Sequence, residues 1–164
     1  VIILVGGGSR SGKSRYALEL ATQRGVRPAF LATAQAFDDE MTERIRKHRD
    51  ERGGAFTTWE EPFEIAERLR ARHECDVIVV DCLTLWVSNL MLADREIPGA
   101  ELIAAARAVS ATVIFVSNEV GCGIVPENAL ARRFRDLAGA LNQQVAAAAD
   151  EVYWMAFGIP LKVK

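Results

Sequence analysis

Short uninterrupted apolar runs alternate along the chain with longer stretches in which apolar residues recur every three or four positions. The runs are "VIILV" at 1–5, "PAFLAT" at 28–33, "CDVIVVD" at 75–81 and "ATVIFVSN" at 111–118. Runs of Val and Ile without polar alternation suit strands buried on both faces, which predicts an α/β fold with a mostly parallel sheet flanked by helices. Helices are predicted over 12–24, over 38–52, over 63–72, over "LTLWVSNLML" at 83–92, and again before residue 111. In the second of these Asp38 is the N-cap, acids fill the first turn, and Gly53 and Gly54 stop it. "AFTTW" at 55–59 is a short extended piece, and "ADREIPGA" at 93–100 reads as a linker. A long C-terminal helix carries Leu130, Phe134, Leu137, Leu141 and Val145, one stripe turned to the core. "EVYWMAFGIPLKVK" then reads as two short strands around Gly158 and Pro160, a hairpin at the sheet edge.

Composition narrows the function classes. The 164 residues, half of them apolar, fit one domain over 1–164. Twenty Lys and Arg against 22 Asp and Glu give no global basic field, so nucleic acid is not an expected partner and any polyanion site is local. Cys75, Cys82 and Cys122 form no CxxC pair and are odd in number, which points to reduced thiols in a cytoplasmic protein. The opening apolar run is too short for a signal-peptide core or a membrane span, and a start at Val1 suggests trimming.

After the first strand comes "GGSRSGKS", that is Gly7, Gly8, Ser9, Arg10, Ser11, Gly12, Lys13 and Ser14. It fits G-x-x-x-x-G-K-[ST] between a strand and a helix, the setting that the phosphate-loop pattern requires. The glycines permit close approach of backbone N–H groups to phosphate oxygens, and the helix N-terminus adds partial positive charge. Lys13 is placed to reach the outer phosphates and Ser14 to hold Mg²⁺. Asp81, closing "VIVVD", has two readings: a carboxylate for the same magnesium, or a strand-end cap. Together these features imply a bound nucleoside triphosphate without saying what is done with it.

One of the two histidines, His48, sits within "RIRKHRDERGG". On a helix, Met41, Arg44, Ile45, His48 and Arg52 share one face, so an arginine lies one turn away on each side. Nearby cations disfavour the imidazolium whereas the helix C-terminus favours it, and guanidinium groups grip phosphate. A neutral His48 is therefore a candidate nucleophile toward a nucleotide α-phosphorus; a half-buried histidine on an amphipathic stripe is the other reading. His73 reads as a plain surface residue. "SNEVGCGIVPEN" follows a buried strand, where parallel sheets place ligand loops. Asn118 and Glu119 there are candidates for a polar substrate group, or the block is a rigid connector with Pro126 starting the next helix. Arg132, Arg133 and Arg135 face either substrate phosphate or a neighbouring subunit.

The segments "GGSRSGKS", "ATAQAFDDEMTERIRKHRDER", "WEEP" and "NEVGCGIVPENALARRFRDLAGALNQQVAAAADEVYW" resemble the bifunctional adenosylcobinamide kinase and adenosylcobinamide-phosphate guanylyltransferase family of cobalamin biosynthesis. The resemblance covers nearly the whole chain. It implies that ATP or GTP phosphorylates the corrinoid and that a histidine, aligned with His48, then carries GMP from GTP to the new phosphate, releasing pyrophosphate. It also implies nucleotide contacts from Ala32, Thr33 and Ala34, from Arg49, Asp50, Glu51 and Arg52, and from Glu60 and Asp81, with catalytic roles for His48 and Lys13. Mg²⁺, a RecA-like nucleotide-binding fold and a homotrimer come with the same resemblance. Asp81 stands where the family often has glutamate, and Phe56 where it often has an indole. A plain small-molecule kinase and a RecA-like nucleotide switch are the alternatives, separated from the first reading by a covalent guanylyl label and by a DNA-stimulated hydrolysis assay respectively.

Overall fold

A computed structural model describes residues 1–35, 53–71 and 73–164. The helix expected over 38–52, with Asp38, Met41, Arg44, Ile45, His48, Arg49, Asp50, Glu51 and Arg52, lies outside the described residues. The described strands are β1 (Ile2–Gly7), β2 (Pro28–Ala32), β3 (Thr57–Glu60), β4 (Val77–Asp81), β5 (Thr112–Asn118), β6 (Glu151–Ala156) and β7 (Ile159–Lys162). The helices are α1 (Lys13–Arg24), α2 (Ile65–Arg70), α3 (Leu83–Leu92), α4 (Gly99–Ala108) and α5 (Ala129–Ala148).

The seven strands form one sheet in the order β3-β2-β4-β5-β1-β6-β7. All neighbours are parallel except β6 and β7, which are antiparallel. This is the expected α/β architecture with its C-terminal edge hairpin. Strand periodicity of two sends Ile2 and Leu4 of β1 into one core, with Leu83, Trp86, Leu102 and Leu141. Ile3 and Val5 enter the other, with Ala17, Leu20 and Ala21 of α1. Val77 to Val80 and Val113 to Val116 are fully buried, which is why their sequence shows no alternation. Among the described residues no helix is long and apolar enough to cross a membrane.

Several boundaries differ from the expectations. Helix α2 covers Ile65–Arg70 rather than 63–72, because the Glu61 carboxylate accepts from the N–H groups of Phe63 (3.0 Å) and Glu64 (2.9 Å) and holds that turn outside the helix. Pro126 does not start α5. The helix opens at Ala129, with Asn128 as N-cap accepting from the Ala131 N–H at 3.1 Å. Leu130 is 51% exposed, so the stripe reaches the core only from Phe134 onward. Twenty residues of helix span about 30 Å whereas six residues of strand span about 20 Å, so the first turns of α5 overhang the sheet. His73 is half-buried rather than a plain surface residue; its ring lies 5.6 Å from that of Trp59 and its buried Nδ1 has no partner among the described residues.

Candidate active site at the carboxyl edge of the sheet

Gly7 ends β1 at φ 148°, and a β-carbon there would meet the Met155 carbonyl oxygen at 2.8 Å and Ser11 Oγ at 2.9 Å. Gly12, at φ 91°, is the residue before α1. Gly8 uses no left-handed conformation; Arg10 does, at φ 56°. The N-terminus of α1 has no side-chain cap and no acid in its first turn. Its free N–H groups, the turn around Gly8 and the helix dipole make an anion seat.

Lys13 is buried at 7% exposure, and its Nζ donates to the Gly8 carbonyl at 2.6 Å, with Ser11 Oγ at 3.4 Å. Burial lowers its pKa, and the opposing pull of Asp81, then Cys82, raises it. The ammonium therefore curls over the loop from within, under the electrostatic influence of the carboxylate at the end of β4. Ser14, half-buried, follows it in the first turn of α1, while Ser9 and Arg10 are exposed at the tip of the loop.

The register sets the other half of the edge. Ala32 pairs with Asp81 on one side and with Glu60 on the other. Asp81 pairs with Val116 and Val116 with Val5, two residues before the phosphate loop. Thr33, fully buried, donates through Oγ1 to the Cys82 carbonyl and accepts from the Cys82 N–H, both at 2.8 Å. Its own N–H donates to the Asp81 carbonyl at 3.2 Å. Asn89 of α3, also buried, donates through Nδ2 to the carbonyls of Thr33 (2.8 Å) and Pro62 (3.0 Å). Burial pushes the Cys82 thiol up to about 11, so it stays protonated while its Sγ accepts from the Leu85 N–H at the start of α3.

Asn118 and Glu119 leave β5 beside the loop: Asn118 pairs with Gly7, and the Glu119 N–H donates to the Gly7 carbonyl at 3.0 Å. The Glu119 carboxylate accepts from the Gly121 N–H, and Arg135 donates to the Gly121 carbonyl at 2.6 Å. Arg132 likewise grips the carbonyls of Pro126 and Glu127, so two of the three arginines brace this loop. Asn142 donates to the Asn118 carbonyl at 3.1 Å and Thr84 accepts from its N–H at 2.9 Å. Between α5 and β6 runs a groove of about 840 Å³ that reaches Gly7, Glu119, Cys122, Gly139 and Trp154.

The edge thus gathers Gly7 to Ser14, Ala32 to Ala34, Glu60, Asp81, Asn118 and Glu119. Asn89, Thr84 and Asn142 were not anticipated from sequence, although an amide inside the apolar helix "LTLWVSNLML" is a readable sign of a buried polar contact.

The chain is similar to known proteins over nearly its whole length. The family model described as cobinamide kinase / cobinamide phosphate guanyltransferase matches residues 3–163. The Pseudomonas aeruginosa protein named bifunctional adenosylcobalamin biosynthesis protein CobP is 42% identical over 166 residues, covering 98% of this chain and 96% of that protein. Its Salmonella typhimurium counterpart, named CobU, is 42% identical over 184 residues and covered in full, as is this chain. A crystal structure of the RadB recombinase overlays at TM-score 0.48 and 16% identity, over 94% of this chain and 73% of that one. The family model and both bacterial relatives match nearly all of the chain, and it belongs to the cobinamide kinase / cobinamide phosphate guanyltransferase family of enzymes.

Proposed function

We propose that this edge catalyses two successive transfers to a corrinoid. In the first, ATP or GTP gives its terminal phosphoryl group to the hydroxyl of adenosylcobinamide. In the second, a ring nitrogen of His48 bonds to the α-phosphorus of GTP and pyrophosphate leaves. An oxygen of the corrinoid phosphate then attacks that phosphorus, breaking the N–P bond to give adenosylcobinamide-GDP and free His48. The observation that carries the reading is an uncapped helix N-terminus behind a glycine loop, with a buried lysine bonded to that loop and under the charge of Asp81, in a chain of this family.

In this reading Gly7, Gly8, Ser9, Arg10, Ser11 and Gly12 present backbone N–H groups to the phosphates. Lys13 turns from the Gly8 carbonyl to the outer phosphates, where the charge of the transferring group develops. Ala32, Thr33, Ala34 and Glu60 line the nucleotide, and Arg49, Asp50, Glu51 and Arg52 do so beside His48. The guanidinium groups near it in the sequence help to keep the imidazole unprotonated and screen the negative charge of the triphosphate from its attacker. Asn118 and Glu119, the latter lining the groove, meet the polar arm of the corrinoid.

Magnesium fits the donors present. Ser14 and Asp81 offer oxygen, which suits an ion that keeps waters and phosphate oxygens in its shell. When bound, it neutralises charge on the β- and γ-phosphates. The same reading takes 1–164 as one domain, working as a cytoplasmic homotrimer; sedimentation of the purified protein tests the assembly.

Incubation with α-labelled GTP and magnesium is expected to leave an acid-labile, alkali-stable label on the protein. His48→Ala should abolish both the label and GMP transfer while phosphorylation of the corrinoid persists. A His48→Ala enzyme that still makes adenosylcobinamide-GDP overturns the covalent step.

A further inference from the structure

The tip of the β6–β7 hairpin carries an aromatic ring that the two transfers leave without a task. Phe157 and Gly158 join the strands, both left-handed, at φ 54° and 83°. Two-residue hairpin turns with both central residues left-handed favour Asn and Gly, and a bulky side chain in that region is an outlier. Phe157 is also 100% exposed, so the ring contributes nothing to the core. Neither local conformation nor packing accounts for a phenyl group at this position.

Its neighbourhood supplies a reason. A β-carbon on Gly12 would lie 3.4 Å from the Cα of Gly158, and one on Gly158 would lie 3.7 Å from Arg15 Nη2. The hairpin tip therefore rests against the point where the phosphate loop becomes α1. Sheet order then fixes a direction. Asp81, whose charge acts on Lys13, ends β4 on one side of β1, whereas β6 and β7 lie on the other. A triphosphate with its outer phosphate toward Lys13 and Asp81 sends its nucleoside the opposite way, past the first turn of α1 and toward residues 157 and 158.

We propose that the hairpin tip is the nucleobase site of the phosphate loop, with the Phe157 ring as the surface on which the base stacks. Gly12 and Gly158 leave room for the tip to approach the loop, and the Arg15 guanidinium flanks the path of the nucleoside. Stacking on an aromatic face discriminates little between bases, so the site accepts adenine and guanine alike. The assignment rests on the reading that Gly7 to Ser14 hold a nucleoside triphosphate.

The test compares ATP, GTP and inorganic tripolyphosphate, which has the phosphates and no base, as ligands of the wild type, Phe157→Asn and Phe157→Trp. Asparagine tolerates the left-handed turn and so removes the ring without disturbing the hairpin. Phe157→Asn is expected to bind ATP and GTP about ten-fold more weakly and tripolyphosphate as the wild type does, with an unfolding temperature no lower. Phe157→Trp should retain nucleotide affinity, and ATP but not tripolyphosphate should change its added fluorescence. ATP affinity within two-fold of wild type in Phe157→Asn overturns the proposal. So does equal weakening of ATP and tripolyphosphate, or a changed sedimentation coefficient with nucleotide affinity intact, which would make the tip a contact between copies. A wild type that binds neither ATP nor tripolyphosphate instead overturns the phosphate-loop reading, and this one with it.

Discussion

The two halves of the carboxyl edge are held by different means. At the phosphate loop the bonds that close the turn are local: Lys13 bonds the carbonyl of a residue five positions earlier, and the Ser11 N–H bonds the same one. At the corner formed by β2, β4 and α3 they are distant, joining Thr33 to Cys82 across 49 positions, and Asn89 to Thr33 across 56 and to Pro62 across 27. The loop closes its turn with contiguous residues between a strand and a helix, and Glu119 and Met155 anchor only its Gly7 end from outside. The corner exists only once strand register has brought three separate segments together. Damage to the loop should therefore fall on chemistry, and damage to the corner on stability first.

The sharpest break of that comparison is Lys13→Met. Phosphoryl transfer to the corrinoid should fall by about 10²-fold or more, since a donor to the developing charge is gone. Thermal stability should not fall with it, because burial works against the charged lysine. The linkage has a definite sign: the native pKa lies below 10.5, so the unfolded chain binds more protons in the window between the two values. Wild-type stability should rise with pH through that window and Lys13→Met should lack the rise, as denaturant titrations in mildly and strongly alkaline buffer would show. A large drop in melting temperature would mean that the ammonium is a structural clamp.

Next in size is Asn89→Leu, which removes the donor from the carbonyls of Thr33 and Pro62. Leaving buried groups without partners should cost about 1–3 kcal/mol in urea unfolding. A loss under about 0.5 kcal/mol would erase the distinction between the two halves. Thr33→Val, nearly the same shape, strips the hydroxyl from Cys82 and should cost a similar or slightly smaller amount. Combined with Asn89→Leu it should show a coupling of about 0.5–3 kcal/mol, whereas simple additivity would make them two independent fasteners.

The smallest effect belongs to a region outside both halves. Glu151 accepts from Tyr153 (2.6 Å) and Arg24 (2.7 Å), with Lys162 at 3.4 Å, and these contacts, the Tyr153 hydroxyl foremost, lower its pKa. The same hydrogen bond pushes the Tyr153 hydroxyl up to about 12. A depressed carboxylate stabilises fully above its unfolded value of 4.5, and that contribution is lost as pH falls through the lower native value. Glu151→Gln should flatten this acid limb by lowering the neutral plateau, so that variant and wild type converge as the pH falls below the native value.

The same contrast explains what could be read from the sequence. The β1–loop–α1 unit is legible because its signals are adjacent, and β4 and β5 because complete burial writes itself as unbroken Val and Ile. The hairpin is legible through Gly158. Strand order is not written in any local pattern, so the row that places Glu60, Ala32 and Asp81 side by side appears only with the register. The α5 stripe has the right period, yet period alone does not say how far a helix overruns the sheet, and Leu130 shows the overrun. Pro126 is a good helix starter in isolation and was displaced by Asn128, whose side chain can do what proline cannot. His48 and its arginines lie outside the described residues, so the part proposed for them rests on their spacing in the sequence.

Strand β7 has a consequence for life in a crowded solution. A sheet that ends in parallel strands invites another molecule to lengthen it, but here the outermost strand is four residues long, lacks one amide hydrogen at Pro160 and ends on Lys162. A foreign strand seeking to add on would find a broken ladder and a positive charge, so this border resists fibril-like growth.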